Sequence, residues 1–151
     1  VNRYLSLDTE QTGNFMTFFY CELTAQAKEV HWVRAGHEPA LVYDPALDTF
    51  DELKGEGMAL GLDGAFEYAS FERCLEPGQI ILIGTDGIWE MRAESGDMFG
   101  KQRLKAQIRE HRHASSRELI DAITGALNDF RGQTAPEDDV TMVVIKAAAQ
   151  G

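Results

Sequence analysis

The stretch IILIGTDG, residues 80–87, joins an uninterrupted apolar run to an abrupt polar end. The run at 80–83 is aliphatic throughout, and a short continuous run of this kind predicts a central β-strand. Asp86 follows closely, so its carboxylate would be held rigidly at the edge of the sheet. Gly87 has no Cβ and would let a ligand approach the backbone closely. The stretch therefore predicts a buried strand with a candidate site at its end.

Other strand-length runs lie on both sides of this stretch. Residues 15–23 are aromatic and apolar on both faces, which predicts a buried strand, and residues 30–34 would be its hairpin partner across a turn at 24–28. Residues 1–7 have the spacing of the end of a helix. Further strands are predicted at 40–43, 49–53, 68–75 and 140–145, with an irregular tail at 147–151.

The apolar period becomes helical after residue 96. Apolar residues four apart predict a helix over 101–111. Ser115 and Glu118 match a capping box, in which each residue bonds the other's backbone N–H, and a second helix would start there. Gly132 stands where a helix C-cap would. Because the strands are grouped and the helices segregated, this order predicts an α+β fold rather than a doubly wound sheet.

The charge balance excludes some classes of partner. Lys and Arg total 14 and Asp and Glu total 25, which gives a formal net charge of −11. Proteins that bind nucleic acid gain affinity when basic side chains release counterions, so this acidic chain is not expected to bind nucleic acid. The same argument disfavours binding to acidic membranes.

Length and cysteine content fit one intracellular domain. The chain has 151 residues, close to the rough rule of ~150 per domain, and no run approaches the ~18 apolar residues of a membrane span. Cys21 and Cys74 make neither a zinc pattern nor a disulfide framework. They predict buried thiols in a reducing compartment, and hence a cytoplasmic protein.

Two acidic clusters flank predicted strands. Asp86 follows the strand at 80–83, and Asp138 and Asp139 precede the last strand. If these strands are neighbours, Asp86 and Asp138 point into one volume, where two bare carboxylates would repel each other unless a cation neutralises them. Mg²⁺ and Mn²⁺ prefer oxygen ligands, so a metal site is one interpretation. Alternatively, Asp86 and Gly87 form a hairpin turn, and Asp138 and Asp139 open a turn or cap a helix.

His37 is a further candidate with two interpretations. An imidazole titrates near neutral pH and could serve as a catalytic base. However, the surrounding Gly36-His37-Glu38-Pro39 pattern is typical of a turn. In a turn, the ring would make a structural hydrogen bond.

Several short motifs occur in the order they have in one protein family. They are Asn2-Arg3 with the run at 15–20, AGHEPA at 35–40, LGL at 60–62, LEPG at 75–78, TDGIWE at 85–90, FG at 99–100 and DDVT at 138–141. Together they span nearly the whole chain. The sequence resembles the bacterial branch of the metal-dependent, type 2C (PPM) serine/threonine protein phosphatases, which includes the stage II sporulation protein E (SpoIIE) and RsbU-type regulators of the stress sigma factor.

This resemblance implies a fold and a mechanism. The fold would be an antiparallel β-sandwich flanked by helices. Two Mn²⁺ or Mg²⁺ ions would activate a water that attacks phosphoserine or phosphothreonine directly, without a phosphoenzyme. Asp86 and Asp138 match metal ligands of the family, and Asp139 stands where relatives carry Asn or Asp. Gly87 follows the first ligand, Glu90 would lie beside the ligands, and His37 fits the family's turn without an assigned role.

One departure from the family pattern concerns an upstream acidic motif. That motif supplies the Asp that bridges the two metals, and the 151 residues do not contain it. We expect it before Val1, so that residues 1–151 are the C-terminal part of a phosphatase domain. Such a segment is expected to bind metal weakly, to be poorly active alone, and to expose core surface that favours pairing with a partner or a second copy.

The family also implies partners. A phosphorylated STAS-type anti-sigma antagonist would be the substrate, and an upstream sensor or receiver domain would control the activity. Two other hypotheses stay open at this point. The chain could be a phosphatase-like module that only holds a partner, or an unrelated β-rich domain in which Asp86 and Asp138 lie far apart.

Overall fold

The computed structural model describes residues 1–9, 12–24 and 28–148. Within these ranges it contains the following elements in chain order: α1 (Asn2–Thr9), β1 (Phe18–Thr24), β2 (Glu29–Ala35), β3 (Ala40–Asp44), β4 (Thr49–Leu53), β5 (Phe71–Cys74), β6 (Ile80–Gly84), a 3-10 helix (Asp86–Ile88), α2 (Gly100–Glu110), α3 (Ser116–Arg131) and β7 (Met142–Lys146). The strand pairings that the structure records in its two sheets are antiparallel. The predicted α+β class is therefore confirmed.

The chain divides into two compact units. The first comprises Val1–Pro39 and Leu53–Glu76, and the second comprises Ala40–Glu52 and Pro77–Gly151. The first contains α1 and a sheet of order β1-β2-β5. β2 lies in the middle, and its Trp32 stacks on Phe71 of β5 at 5.8 Å between ring centroids while the indole N–H donates to the Lys54 carbonyl.

β1 differs from its prediction in length and in burial. It begins at Phe18 rather than at residue 15, and its side chains alternate between exposed and half-buried. Phe18 is 45% exposed and Tyr20 is 47% exposed, so the prediction of a buried strand was wrong. A run that is apolar on both faces does not reveal whether both faces are covered, because coverage depends on the neighbouring elements.

The second unit contains a sheet of order β4-β3-β6-β7 with α2 and α3. β6 is central, as predicted: Leu82 pairs with Leu41 of β3 and with Val144 of β7. One face of this sheet and the two helices share a core. Its buried members are Leu41, Tyr43, Ile80, Leu82, Ile88, Phe99, Leu104, Ile108, Leu119, Ile123 and Leu127. Full burial of each large side chain stabilises the fold by roughly 1.5–3 kcal/mol.

The ends of α3 confirm the capping prediction. The Ser115 side chain accepts from the Glu118 N–H, and the Glu118 side chain accepts from the Ser115 N–H. Gly132 is the C-cap residue, at φ +59°. A left-handed φ of this kind carries little cost for glycine, which explains why the helix ends there.

Several predicted boundaries needed correction. β5 covers only Phe71–Cys74 of the predicted 68–75, β7 begins at Met142 rather than at residue 140, and α1 extends to Thr9.

Cys74 is exposed and Cys21 is only partly buried, so the prediction of two buried thiols was wrong. The predicted turn at 24–28 includes residues 25–27, and the predicted tail includes 149–151, which lie outside the described residues. No helix in the described part of the chain is long and apolar enough to span a membrane.

Candidate metal centre

The end of β6 and the start of β7 meet at one edge of the second unit's sheet. Their antiparallel register places Gly84 opposite Met142. The residues just after β6 and just before β7 therefore lie side by side. This meets the condition set by the sequence, that the two strands must be neighbours for Asp86 and Asp138 to share a site. Asp86 and Gly87 do not form a hairpin turn, because they open a 3-10 helix.

Hydrogen bonds join these two segments beyond the end of the strand pair. The Thr85 N–H donates to the Thr141 carbonyl at 3.1 Å. The Thr85 hydroxyl donates to the Asp139 carbonyl at 3.1 Å and accepts from the Thr141 N–H at 3.1 Å. We call residues 85–87 the first loop and residues 138–141 the second loop; three hydrogen bonds through Thr85 hold them together.

Gly87 allows the two loops to approach each other. A Cβ added at this position would lie 2.5 Å from the Asp139 carbonyl oxygen and 3.6 Å from the Asp138 carbonyl oxygen. The first of these distances is far inside van der Waals contact, so a side chain would push the loops apart. The sequence predicted that a ligand would approach this glycine, but the group that lies against it in the structure is the backbone of the second loop.

The candidate carboxylates are accessible and are oriented by local backbone bonds. One oxygen of Asp86 accepts from the Gly87 N–H at 3.1 Å, and one oxygen of Asp138 accepts from the Asp139 N–H at 2.7 Å. The Asp86, Glu90, Asp138 and Asp139 side chains are all exposed. Each bonded carboxylate keeps a second oxygen that can receive a cation or a proton donor.

A cavity of about 40 Å³ lies beside the contact between the two loops, where Gly87 and Asp138 form part of its lining. It is large enough for a water molecule or an ion. The residues around it are Gly87, Glu90, Met91, Glu137 and Asp138. Glu137 is paired with Arg92 at 3.3 Å between Oε2 and Nε, and Arg92 also donates to the Gly96 carbonyl. The wall that carries Asp138 is thereby connected to the segment that follows the 3-10 helix.

His37 belongs to the first unit and makes contacts typical of a turn residue. Its Nδ1 lies 2.9 Å from the Glu38 carbonyl, its own carbonyl accepts from Arg34, and its ring meets Phe19 edge-on. Gly36 precedes it at φ +72°, where a Cβ would lie 2.9 Å from Ala59. These contacts agree with the structural interpretation of His37.

The donor chemistry at the sheet edge fits a hard divalent cation. Asp86, Asp138 and Asp139 offer carboxylate oxygens, and backbone carbonyls lie beside them. Among the described residues, no group of three or more His, Cys, Asp or Glu side chains is arranged as a metal cluster. Mg²⁺ commonly binds one or two carboxylates and keeps several waters, so the residues present fit part of a coordination sphere.

The family model of the stage II sporulation protein E (SpoIIE) matches residues 1–148. The chain belongs to the SpoIIE family. It is 31% identical over 135 residues to the phosphoserine phosphatase RsbU of Bacillus subtilis strain 168, an alignment that covers 87% of this chain and 39% of RsbU. The chain thus spans well under half the length of this relative.

Solved structures share the fold. The PP2C domain of SiaA from Pseudomonas aeruginosa matches with a TM-score of 0.82 at 21% identity, covering 96% of this chain and 57% of that one. The SpoIIE phosphatase domain from Bacillus subtilis matches with a TM-score of 0.67 at 16% identity, covering 96% and 61%. These likenesses establish a PP2C-type fold for this member of the SpoIIE family.

Three residues of the centre were missed by sequence reasoning. Thr85 bonds across the two loops, and the Arg92–Glu137 ion pair joins the segments next to them, yet each is an ordinary polar residue in the sequence. The pattern offered one usable signal for Thr85: it directly precedes the candidate ligand Asp86. Arg92 and Glu137 are far apart in the chain, and only the β6–β7 register brings their segments together.

Proposed function

We propose that this chain is the C-terminal, metal-binding part of a SpoIIE-type phosphatase domain that hydrolyses phosphoserine or phosphothreonine on a regulatory protein. The observation that carries the proposal is the joining of the two acidic loops through Thr85 and Gly87 at the end of the central strand. Family membership and the similarity to a phosphoserine phosphatase support the reaction type.

Asp86 and Asp138 would hold Mn²⁺ or Mg²⁺, with Asp139 as a further candidate, and two ions are expected in the complete domain. The SpoIIE phosphatase domain of Bacillus subtilis was solved after presoaking in Mn, which supports this choice of metal. Bound divalent ions lower the pKa of water and stabilise the charge of an in-line displacement at phosphorus. The bridging Asp would come from a segment upstream of Val1.

The protein's own residues would orient the reacting groups. The backbone bonds to Asp86 and Asp138 each use one carboxylate oxygen, and the second oxygen of each would bind the metal. Glu90 lines the cavity beside Asp138, where it would hold a water by accepting its hydrogen bond. His37 would act only by shaping its turn.

The expected substrate is a phosphorylated STAS-type protein, as the family resemblance implies. A Mycobacterium tuberculosis protein of the same fold carries an RsbU and an RsbW domain in one chain, which supports a place in sigma-factor regulation. An upstream sensor or receiver domain would control the activity in the cytoplasm. Pairing with a second copy of the chain is also proposed, through the half-exposed β1.

A second candidate function is a phosphatase-like module that binds a partner without catalysis. It is favoured by the lack of a cluster of three or more metal-ligating side chains in the described residues. Exposed apolar residues on β1, including Phe18 and Tyr20, would then form part of the contact surface.

Phosphate release by the longest natural chain that contains this segment distinguishes the two functions. The substrate is a phosphoserine STAS-type protein, with Mn²⁺ or with EDTA. We expect Mn²⁺-dependent release that falls at least about a hundredfold in Asp86→Asn, since a ligand that clamps the metal is lost. Asp129→Asn removes an equivalent exposed carboxylate from α3 and serves as the matched control. No release by the unmodified chain across a panel of such substrates would favour the binding module.

A further inference from the structure

Thr85 occupies the N-cap position of the 3-10 helix but does not cap it. Its backbone is extended, at φ −83° and ψ 160°, and its side chain makes no capping hydrogen bond. A threonine at an N-cap ordinarily accepts a hydrogen bond from the first turn of its own helix. Here the hydroxyl bonds to Asp139 and Thr141 instead. The side chain therefore serves a contact between segments that are 54 residues apart.

These bonds begin where the strand ladder ends. Gly84 and Met142 are the last residues paired between β6 and β7, and the Thr85 N–H adds one more backbone bond to Thr141. Beyond that point the hydroxyl takes over, as an acceptor for the Thr141 N–H and a donor to the Asp139 carbonyl. The hydroxyl thus extends the alignment of the two segments as far as Asp86 and Asp139.

From this geometry we infer that the Thr85 hydroxyl is a positioning group that sets the spacing of the two acidic loops for a divalent cation. The inference rests on the proposed function. Thr85 is adjacent to Asp86 in the chain and bonded to the backbone of Asp139, so its hydroxyl joins the residues that carry two of the candidate ligands. Its single χ1 angle is stiff, because the side chain is β-branched.

The location of these bonds predicts a particular kind of effect. Asp139 and Thr141 are exposed, so water can replace the hydroxyl as their hydrogen-bond partner when it is removed. The cost to folding is therefore small. Without the hydroxyl, however, the distance between the carboxylates is no longer fixed. Metal binding then has to order the two loops, which lowers the affinity. Removal should weaken metal binding more than it weakens the fold.

The test compares Thr85→Val with Thr85→Ser in the longest natural chain. Val keeps the shape and the branching but lacks the hydroxyl, whereas Ser keeps the hydroxyl. Mn²⁺ affinity is measured by calorimetry without substrate, urea unfolding is measured without metal, and phosphate release is measured over a range of Mn²⁺ concentrations. Thr124→Val, at an exposed position of α3, is the control for the same substitution elsewhere.

We expect Thr85→Val to raise the Kd for Mn²⁺ about tenfold, the equivalent of roughly one or two lost hydrogen bonds. Phosphate release in this variant should recover when Mn²⁺ is raised by the same factor. The Kd of Thr85→Ser should stay within about threefold of the value for the unmodified chain, and the Kd of Thr124→Val should equal that of the unmodified chain.

A lower urea midpoint in Thr85→Val with an unchanged Kd would overturn the inference, because Thr85 would then be purely structural. An equal loss of affinity in Thr85→Ser would overturn it too. If the unmodified chain binds Mn²⁺ but releases no phosphate, the proposed reaction fails while the Kd values still decide the role of Thr85. If it binds no Mn²⁺, both proposals fail.

Discussion

β1 and β6 look alike in sequence but differ in the structure. Both are apolar runs that predicted buried strands, yet Ile80, Ile81 and Leu82 of β6 are nearly inaccessible whereas Phe18 and Tyr20 of β1 are almost half exposed. β6 is paired on both sides, by β3 and β7, while β1 is an edge strand that pairs with β2 within its described sheet. The difference shows that an apolar composition allows a strand to be buried, but the elements packed around the strand determine whether it is buried.

The largest expected difference concerns stability in the centre of the second unit. Leu82→Ala should lower the free energy of unfolding by about 2–5 kcal/mol, because a large buried side chain is removed and a cavity is left. Chemical denaturation of the natural chain measures it. A loss below about 1 kcal/mol would contradict the packing of Leu82 against the core shared with α2 and α3.

Substitution in β1 tests the other half of the comparison. Phe18→Ser should cost less than about 1.5 kcal/mol, well below the Leu82 value, since much of the Phe18 ring is in contact with water already. The same denaturation experiment applies to this variant. A cost in the natural chain as large as that of Leu82→Ala would show that another segment or a second copy covers β1.

The glycine between the acidic loops supplies a third prediction. Gly87→Ala should destabilise the fold by about 1–3 kcal/mol, because the added methyl group would clash with the Asp139 carbonyl oxygen. It should also weaken Mn²⁺ binding. Gly125→Ala is the matched control: a Cβ there meets nothing within 4 Å, and it should stabilise α3 by up to about 1 kcal/mol. Equal effects at the two glycines would argue against close contact between the loops.

The smallest expected effect is a pH-dependent contact at the surface of the second unit. Hydrogen bonds from Arg109 and then from Tyr43 hold the pKa of Asp48 below its ordinary value. The stability gained from this carboxylate is therefore present above the unfolded pKa of an Asp, near 4, and is lost as the pH falls through the lower folded pKa. Asp48→Asn should lower the urea midpoint slightly at pH 7, and the difference should disappear under acidic conditions. A difference in urea midpoint that grows on acidification would contradict a lowered pKa for Asp48.

Local signals in the sequence predicted the elements that depend on local chemistry. The capping box of Ser115 and Glu118, the C-cap at Gly132 and the central position of β6 were all confirmed. Burial of β1 was predicted wrongly, because the sequence does not contain the information about what lies against it. Strand ends were misplaced by up to three residues for the same reason, since pairing partners decide where a ladder stops.

The candidate site was predictable only as far as it follows from one strand pairing. Once β6 and β7 are neighbours, Asp86 and the Asp138–Asp139 pair must meet at one edge, and the structure contains that pairing. Their role as metal ligands stays a prediction. Arg92 and Glu137 could not be found in this way, because their contact depends on the exact register of segments that are distant in sequence.

The pairing of β6 with β7 has a consequence for the order in which the second unit folds. The hydrogen bonds of Thr85 to Asp139 and Thr141 close a loop of more than fifty residues, and that loop contains both α2 and α3. Closing so long a loop is entropically costly and is offset only when the helices pack on the sheet. The contact between the first and second loops therefore does not form as a local motif on its own. We therefore expect it to assemble together with the core, so that a cation bound there would by mass action favour the folded state of the whole unit.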